Sequence, residues 1–178
     1  MDDQDWIRVA KRMTEISEAP IVIMRPREVE IGPLSTVVNE LSLRRDVRLV
    51  VIDSLHLVTA RRDLPYENRE REVAEIARRQ TSGPRYGTIV VTAQLSTNPG
   101  PHQPIPARPS LADLRDSGTI AHVADYVVLL HRPDAWDRDD PRAGGVDLIL
   151  AKHEHGPTAM TTVAHQLRYG RLVVGSQI

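Results

Sequence analysis

Two short apolar runs constrain the fold of this chain more than any other feature. Residues 48–55, RLVVIDSL, and 87–95, GTIVVTAQL, are continuously apolar instead of alternating, which is typical of central parallel strands covered on both faces. Between them, residues 67–80, ENREREVAEIARRQ, carry apolar side chains at helical spacing. A strand, a helix and a second strand in this order predict a right-handed parallel crossover and an α/β fold.

The residues upstream of the first run predict two more helices. Residues 5–18 place Trp6 and later apolar side chains three and four positions apart, and Pro20 ends this pattern. Residues 32–46 repeat the same spacing. The β-branched run PIVIM, 20–24, lies between the two helices and predicts a short strand that leads into the second helix.

The residues downstream predict a loop and then more strands. Five prolines lie within residues 96–109, which excludes a helix or a central strand there. Residues 126–133 and 146–154 predict two strands joined by a polar hairpin segment. Residues 161–174 predict a final hairpin that turns at Tyr169 and Gly170.

Length and composition favour one globular domain over residues 1–178. The chain has 40% apolar and 26% charged residues, and no apolar stretch approaches the roughly 20 residues that span a bilayer. The acidic start of the chain lacks a signal-peptide pattern and there is no cysteine. We therefore expect a cytoplasmic protein with no membrane contact. A net charge of −1 means that any contact with nucleic acid requires a local basic patch.

Polar residues end three of the predicted strands. Asp53 and Gln94 end the two apolar runs, and Lys152 lies near the end of VDLILAK. Ligands of open parallel sheets bind beyond the carboxyl ends of the strands, so these three side chains are candidates for one shared site. An acid after four apolar residues is the Walker B arrangement, which holds Mg²⁺ beside nucleotide phosphates. A strand-end aspartate that caps the following turn is the alternative interpretation of Asp53.

Five stretches of the chain, taken in order, resemble one known family. They are RLVVIDSLHLV, ENREREVAEIAR, IVVTAQLS, RPSLADLRDSGTIAHVADYVVLLHRPD and LILAKHEHGPT. Together they resemble the C-terminal ATPase domain of DnaB-type replicative DNA helicases. The resemblance implies a RecA-like P-loop NTPase core, in which helices flank a mostly parallel twisted sheet that ends in an antiparallel hairpin. It also implies ATP and Mg²⁺ as cofactors, single-stranded DNA as a partner and a homohexameric assembly.

The resemblance assigns roles to individual residues. Asp53 falls at the position of the Walker B acid that holds Mg²⁺, and Gln94 at that of the glutamine that senses the γ-phosphate. Lys152 falls where a basic residue reaches the nucleotide of the neighbouring subunit. The positions that contact the DNA backbone in the family are occupied by Arg115, Asp116 and Gly118. An ion pair of Arg115 with a nearby aspartate is the structural alternative, and Ser110 and Asp113 are spaced to cap the following helical turn.

Two features depart from the family pattern. The phosphate cradle G-x-x-x-x-G-K-[ST] occurs nowhere in the 178 residues, so we expect this chain alone to be inactive and the strand that carries the cradle to be absent from the sheet. That absence predicts a gap between the strand ending in Gln94 and the strand beginning at Tyr126. In KHEHG, Glu154 stands where the family has its arginine finger, which predicts poor hydrolysis at the subunit interface.

A non-enzymatic function is therefore the alternative: a helicase-like module that binds single-stranded DNA or a helicase subunit without nucleotide turnover. His153 and His155 share one strand face, but without an evident third ligand a solvated strand end is the preferred interpretation. The acidic residues at 137–140 alternate with arginines and predict a surface hairpin instead of a metal loop.

Overall fold

The structure is a computed structural model that describes residues 2–24, 29–59, 87–95, 108–114 and 118–174. The helix predicted over 67–80, residues 96–107 of the proline-rich loop, and the candidates Arg115 and Asp116 lie outside the described residues. The described helices are α1 (Asp3–Glu18), α2 (Ile31–Arg44) and α3 (Gly118–Val123). The described strands are β1 (Val29–Glu30), β2 (Leu49–Ile52), β3 (Val58–Thr59), β4 (Thr88–Val91), β5 (Tyr126–His131), β6 (Gly145–His153), β7 (Ala159–Gln166) and β8 (Arg171–Val173).

The first helix confirms the prediction from apolar spacing. It begins with a capping box in which the carboxylates of Asp2 and Asp5 each accept the other residue's backbone N–H, so two N–H groups at the helix start are paired. It ends at Glu18, before Pro20. Its apolar side chains are exposed, for example Trp6 at 61% and Ile16 at 72%. The helix therefore presents its apolar stripe to solvent within the described part of the chain.

The strand predicted at residues 20–24 is wrong. Residues 21–24 form no strand and their apolar side chains are exposed. The strand that leads into α2 is β1 instead, and β1 pairs in parallel with β3. A β-branched run forms a strand only where another strand lies alongside to accept its ladder hydrogen bonds. The helix predicted at 32–46 is confirmed as α2.

The two apolar runs form a parallel pair, as predicted. Leu49 to Ile52 of β2 lie beside Thr88 to Val91 of β4. One face of this pair is buried, where Ile52 packs with Ile31 of α2, Leu55 and Val58. The predicted coverage of both faces is wrong for the described residues, because Leu49 and Val51 are 56% and 59% exposed.

The C-terminal strands form an antiparallel sheet in the order β5-β6-β7-β8. This confirms the predicted strands and the final hairpin, whose turn is closed by Gly170 at a φ of 61°. A left-handed conformation of this kind favours glycine because it has no Cβ. Val127 and Leu129 of β5 are buried with Leu114 and pack against α3 residue Ala121. The opposite face of β5 is largely apolar but exposed.

The β2–β4 pair and the antiparallel sheet lie next to each other, but no hydrogen bonds pair their strands in the described residues. Leu95, just beyond β4, packs against the buried cluster beneath β5. Within the described residues, β4 pairs with β2 alone and β5 pairs with β6 alone. This arrangement agrees with the predicted gap between these two strands. Separately, none of the helices in the described ranges is long and apolar enough to cross a membrane.

Candidate functional site

The carboxyl ends of β2 and β4 bring an acid and a hydroxyl together. Asp53 follows β2 directly, and Thr92 follows β4 directly. The Thr92 hydroxyl donates a hydrogen bond of 2.5 Å to Asp53 Oδ1, and the Thr92 backbone N–H donates to the Ile52 carbonyl at 3.0 Å. The parallel register sets this meeting, because Ile52 lies beside Val91. The Asp53 carboxylate is exposed and is held in place from the neighbouring strand.

Gln94 lies at the same edge of the sheet. Its backbone N–H donates to His56 Nε2 at 3.0 Å, and the Leu55 N–H donates to the Thr92 carbonyl at 2.9 Å. The turn after β2 is therefore fastened to the segment after β4 by backbone and side-chain bonds. Gln94 itself is exposed. The structure thus brings two of the predicted site residues, Asp53 and Gln94, to one edge.

Two residues of this edge were not identified from the sequence. Thr92 stands two positions before Gln94 in IVVTAQ, and a hydroxyl at the end of an apolar run was the one local signal. His56 lies in SLHLV, where nothing local distinguishes it from a surface histidine, because its partner is 38 residues away in the chain. Both act across the parallel pair, so their roles depend on the strand register.

The turn-capping interpretation of Asp53 does not match its hydrogen bonding. Its carboxylate accepts from a side chain on the neighbouring strand. The short helical turn at Leu55–Leu57 has no side-chain cap at its N-terminus. The Asp53–Ser54 peptide bond is cis. The hydrogen bond from Thr92 connects the Asp53 carboxylate to the segment that also carries Gln94.

Oxygen atoms dominate the chemistry of this edge. Carboxylate and hydroxyl oxygens are the ligand type that Mg²⁺ prefers, and Mg²⁺ commonly keeps one or two protein ligands together with waters and substrate phosphates. No group of three or more acidic, histidine or cysteine side chains that could hold a metal occurs in the described ranges. Asp53 is thus the one charged oxygen donor described at this edge, and a carboxylate is a donor type that Mg²⁺ accepts.

Lys152 belongs to a different group of contacts. Its ammonium donates to the carbonyl of His122 at 2.9 Å and pairs with the Glu154 carboxylate at 3.0 Å. It makes no hydrogen bond or ion pair with Asp53 or Gln94 in the described structure. The hydrogen bond from Lys152 holds the pKa of the exposed Glu154 below its usual value. The cation and the carboxylate at the predicted interface position thus satisfy each other.

The turn after β6 is docked against the start of β5. The Glu154 N–H donates to the Asp125 carbonyl at 2.9 Å, and the rings of Tyr126 and His153 lie 4.9 Å apart. His153 Nδ1 donates to the carbonyl of Pro157 at 3.2 Å. These contacts agree with the preferred interpretation of HEH as a strand end.

The segment predicted to contact DNA leads into α3. Gly118, the one described member of that set, is the first residue of the helix, and Lys152 bonds the His122 carbonyl in its last turn. Upstream, Ser110 and Asp113 form the predicted capping box, with Asp113 Oδ2 accepting from the Ser110 N–H at 2.7 Å. The described contacts therefore connect the end of this segment to the turn that carries Lys152 and Glu154.

The acidic residues between β5 and β6 have structural partners. Asp137 accepts from the Asp139 N–H and Asp140 from the Arg142 N–H, which are turn-forming contacts. Asp134 accepts from Arg132 and from His165 Nε2 at 2.9 Å, and the Arg132 hydrogen bond lowers the pKa of Asp134 to about 2. This agrees with the predicted surface hairpin.

Comparisons with known proteins converge on one family. The family model of the DnaB-like helicase C-terminal domain matches residues 1–173. The replicative DNA helicase DnaB of Mycobacterium intracellulare is 43% identical over 171 residues, which are 96% of this chain and 29% of that protein. This chain therefore spans less than a third of the length of that relative.

Solved structures give the same result. A DnaB-like replicative helicase, described with its interactions with primase, superposes with a TM-score of 0.84 at 26% identity, over 97% of this chain and 42% of that one. A second solved chain, described as an ATPase domain, superposes with a TM-score of 0.83 at 25% identity, over 97% of this chain and 61% of that one. The predicted RecA-like α/β architecture is confirmed by these likenesses.

Proposed function

Since this chain belongs to the family of DnaB-like helicase C-terminal domains, we propose that it supplies part of an ATP-driven DNA-unwinding motor in the cytoplasm. This part is the one that follows the phosphate-binding loop in the family. The observation that carries the proposal is the hydrogen bond from the Thr92 hydroxyl to the Asp53 carboxylate. Thr92 lies two residues before Gln94, so all three residues lie at one edge of the sheet. An exposed, oriented acid beside a polar residue at the ends of two parallel strands suits the handling of Mg²⁺ and a nucleotide phosphate.

Each residue of this edge has a distinct part in the proposal. Asp53 would hold Mg²⁺, which supplies charge neutralisation to the phosphates when bound. Thr92 would orient the Asp53 carboxylate, as hydrogen-bond partners of metal ligands commonly do. Gln94 follows Thr92 on the same segment, so a displacement at the phosphate would be transmitted along the chain toward residues 96–118.

The complete nucleotide site needs more than this chain. No phosphate cradle occurs in the 178 residues, and the backbone N–H groups and lysine of such a cradle are what position a triphosphate. We therefore expect the chain alone to show no ATP binding in the micromolar range, with or without Mg²⁺. A calorimetric titration measures this directly, and micromolar binding would contradict the proposed division of the site.

DNA contact is proposed for Arg115, Asp116 and Gly118. The support is positional: Gly118 begins α3, and the end of α3 is held by the ammonium of Lys152. In a homohexamer, Lys152 would approach the nucleotide of the adjacent subunit. A movement of the Lys152 side chain toward that nucleotide would release the His122 carbonyl and so couple the interface to the DNA-contacting segment.

A chimera tests the proposed nucleotide chemistry. The 178 residues replace the corresponding part of the Mycobacterium intracellulare DnaB, and DNA-stimulated ATP hydrolysis is measured. Thr92→Val removes the hydrogen bond to Asp53 and is expected to lower the rate by about 10–100-fold, and Asp53→Asn is expected to lower it further. Thr88→Val, at the exposed start of the same strand, is the matched control. Equal rates for the Thr92 and Thr88 variants would refute the role of this edge.

A non-catalytic module is the second candidate, and one observation favours it. Glu154 pairs with Lys152 at 3.0 Å, and the family resemblance assigns position 154 to the arginine finger. An arginine at that position is worth about 10³–10⁵ in rate in phosphoryl-transfer enzymes. In the chimera, Glu154→Arg should therefore raise hydrolysis strongly if the domain is an impaired motor. An unchanged, negligible rate together with retained DNA binding would favour the non-catalytic module.

A further inference from the structure

The hydrogen-bond ladder of the parallel pair continues beyond the last residues of β2 and β4. The Thr92 N–H donates to the Ile52 carbonyl at 3.0 Å, and the Thr92 carbonyl accepts from the Leu55 N–H at 2.9 Å. In a parallel ladder, every second residue of a strand bonds to the same neighbour through both its N–H and its carbonyl. Gln94 lies two residues beyond Thr92, so its N–H is the next donor that this ladder presents to the segment after β2.

A side chain, and not a main-chain carbonyl, receives this donor. The carbonyl expected in a regular ladder is that of Ser54, two residues after Ile52, but the Ser54 carbonyl accepts from the Leu57 N–H at 3.0 Å and closes the short helical turn after β2. The Gln94 N–H donates instead to His56 Nε2 at 3.0 Å. The imidazole of His56 therefore takes the place of a ladder carbonyl.

This bond fixes the chemical form of the His56 ring. A backbone N–H can only donate, so Nε2 accepts through its lone pair and carries no proton. The neutral ring therefore has its proton on Nδ1. Both the other neutral tautomer and the imidazolium would lose the bond, because Nε2 is a donor in each of them. One tautomer of one side chain thus holds the main chain at Gln94.

The core holds the main chain of His56 in place. His56 is half-buried, and Leu55 and Val58 near it in sequence are 2% and 1% exposed within the buried cluster beneath β2. Gln94 is exposed, and the next residue, Leu95, packs against the separate buried cluster beneath β5. The bond between His56 and Gln94 therefore ties an exposed residue to a segment that is fixed by core packing.

We propose that His56 is a positioning residue for Gln94. By accepting the Gln94 N–H, the neutral imidazole sets where the Gln94 side chain begins, at the edge that also carries Asp53. This inference rests on the proposed function, in which Gln94 responds to the nucleotide phosphate. His56 acts through Gln94 and contacts neither the nucleotide nor Mg²⁺.

Nuclear magnetic resonance of the 178-residue chain at neutral pH tests the hydrogen bond itself. A coupling between the amide nitrogen of Gln94 and Nε2 of His56 is transmitted only through an N–H···N hydrogen bond, and the chemical shifts of the two ring nitrogens show which of them carries the proton. We expect the coupling, with the proton on Nδ1. A proton on Nε2, or a folded chain without the coupling, would refute the proposal.

Two amide variants separate the accepting atom from the rest of the ring. In His56→Gln the side-chain oxygen reaches the position of Nε2 and accepts the Gln94 N–H, whereas the shorter amide of His56→Asn reaches only the position of Nδ1. In the chimera with the Mycobacterium intracellulare DnaB, His56→Asn is expected to lower kcat for DNA-stimulated ATP hydrolysis about 10–100-fold, because a small misplacement can cost this much. The KM for ATP should change less than about twofold.

His56→Gln is the matched rescue variant. Its kcat is expected to stay within about threefold of wild type, since the hydrogen bond is kept. Equal losses in His56→Gln and His56→Asn would contradict a role for the Nε2 position. Circular dichroism and thermal melting establish that both variants fold, and if His56→Asn does not fold, the ring tautomer and the nitrogen coupling decide.

A double-mutant cycle with Gln94→Ala distinguishes positioning from a merely structural role. If His56 acts through Gln94, His56→Asn should cause almost no further loss of rate in the Gln94→Ala background. Losses that add would refute the proposal. An unchanged rate in Gln94→Ala alone, or a wild-type chimera that hydrolyses no ATP, would count against the proposed nucleotide function, while the nitrogen coupling in the 178-residue chain would still support the positioning of Gln94 by His56.

Discussion

The parallel pair and the antiparallel sheet of this chain differ in how far apart in sequence their paired strands lie. The four strands β5 to β8 follow one another directly, and each pairs with the next in sequence. The pair β2 and β4 has four residues in each strand and is separated in sequence by 35 residues, 53–87. One sheet is therefore assembled from local hairpins, and the other from distant segments.

The polar groups of the two sheets differ in the same way. In the antiparallel sheet, Asp147 is 1% exposed and accepts from Arg142 at 3.1 Å and from the Thr162 hydroxyl at 2.7 Å. The Asp147 carboxylate is therefore engaged in contacts that stabilise the sheet. At the parallel pair, Asp53 is exposed and has one side-chain partner, Thr92, within the described residues. Of these two acids, Asp53 is therefore the one whose carboxylate keeps lone pairs without a partner in the described residues, which is why we propose it as the Mg²⁺ ligand.

Core truncation is expected to give the largest effect and to show whether the sheets unfold separately. Leu129 is 3% exposed on β5, so Leu129→Ala should cost about 2–5 kcal/mol in the free energy of unfolding through lost burial and a cavity. Leu130 is its matched control, 59% exposed on the same strand, and Leu130→Ala should cost far less. Urea denaturation measures both.

Ile52→Ala extends this test to the parallel pair. Ile52 is 8% exposed, and its truncation should reduce amide hydrogen-exchange protection in β2 and β4 before that in β5 to β8, since local units open with their own free energies. An equal loss of protection in both sheets would show that they form one cooperative unit and would remove the contrast between them.

An intermediate effect is expected at the buried carboxylate. Asp147→Asn keeps the shape of the side chain but removes the charge that Arg142 and Arg108 face at 3.1 Å and 3.5 Å. We expect a loss of about 1.5–3 kcal/mol in the free energy of unfolding, the usual worth of hydrogen bonds to a charged group. Asp139→Asn, at an exposed turn, is the control. Similar stability of the two variants would contradict a structural role for the Asp147 charge.

The smallest effect is expected from pH. Arg132 holds the pKa of Asp134 at about 2, below the usual 3.8. A depressed pKa means that the stabilisation is present above the ordinary value and is lost as the pH falls from about 4 toward about 2. Burial also lowers the pKa of His131 in the folded state. Protonation therefore favours the unfolded state, and the free energy of unfolding falls as the pH drops below about 6.5.

Urea denaturation between about pH 7 and about pH 2 measures these losses in the antiparallel sheet. Asp134→Asn should flatten the profile below about pH 4 and leave the region near about pH 6 unchanged. A wild-type stability that rises as the pH falls would contradict both directions.

Much of the fold was predictable because its signals are local. The apolar spacing of residues 5–18, the two apolar runs and the turn at Tyr169 and Gly170 depend on neighbours a few positions apart. The strand predicted at 20–24 failed because a strand also needs a partner, and β1 at 29–30 found one in β3. The predicted coverage of both faces of β2 failed for a similar reason, since coverage depends on elements elsewhere in the chain.

The residues of the candidate site were likewise predictable only where their signals are local in the sequence. The sequence identified Asp53 and Gln94 by their places at the ends of two apolar runs, and the structure puts them on one edge. The sequence did not identify Thr92 or His56, because their hydrogen-bond partners are 39 and 38 residues away. The contact of Lys152 with the His122 carbonyl was equally inaccessible, because it joins residues 30 positions apart.

The order of residues alone therefore indicated most of the described helices and strands, the family that the chain resembles, and that a carboxylate and not an arginine stands at position 154. Three contacts became known from the packed chain alone: Thr92 bonds Asp53, Glu154 pairs with Lys152, and Arg168 and Arg171 lie over the ring of Tyr169. The physical reason is range: helix and turn preferences act over about four residues, whereas hydrogen bonds and ion pairs act between whichever atoms the packed chain brings within about 3 Å.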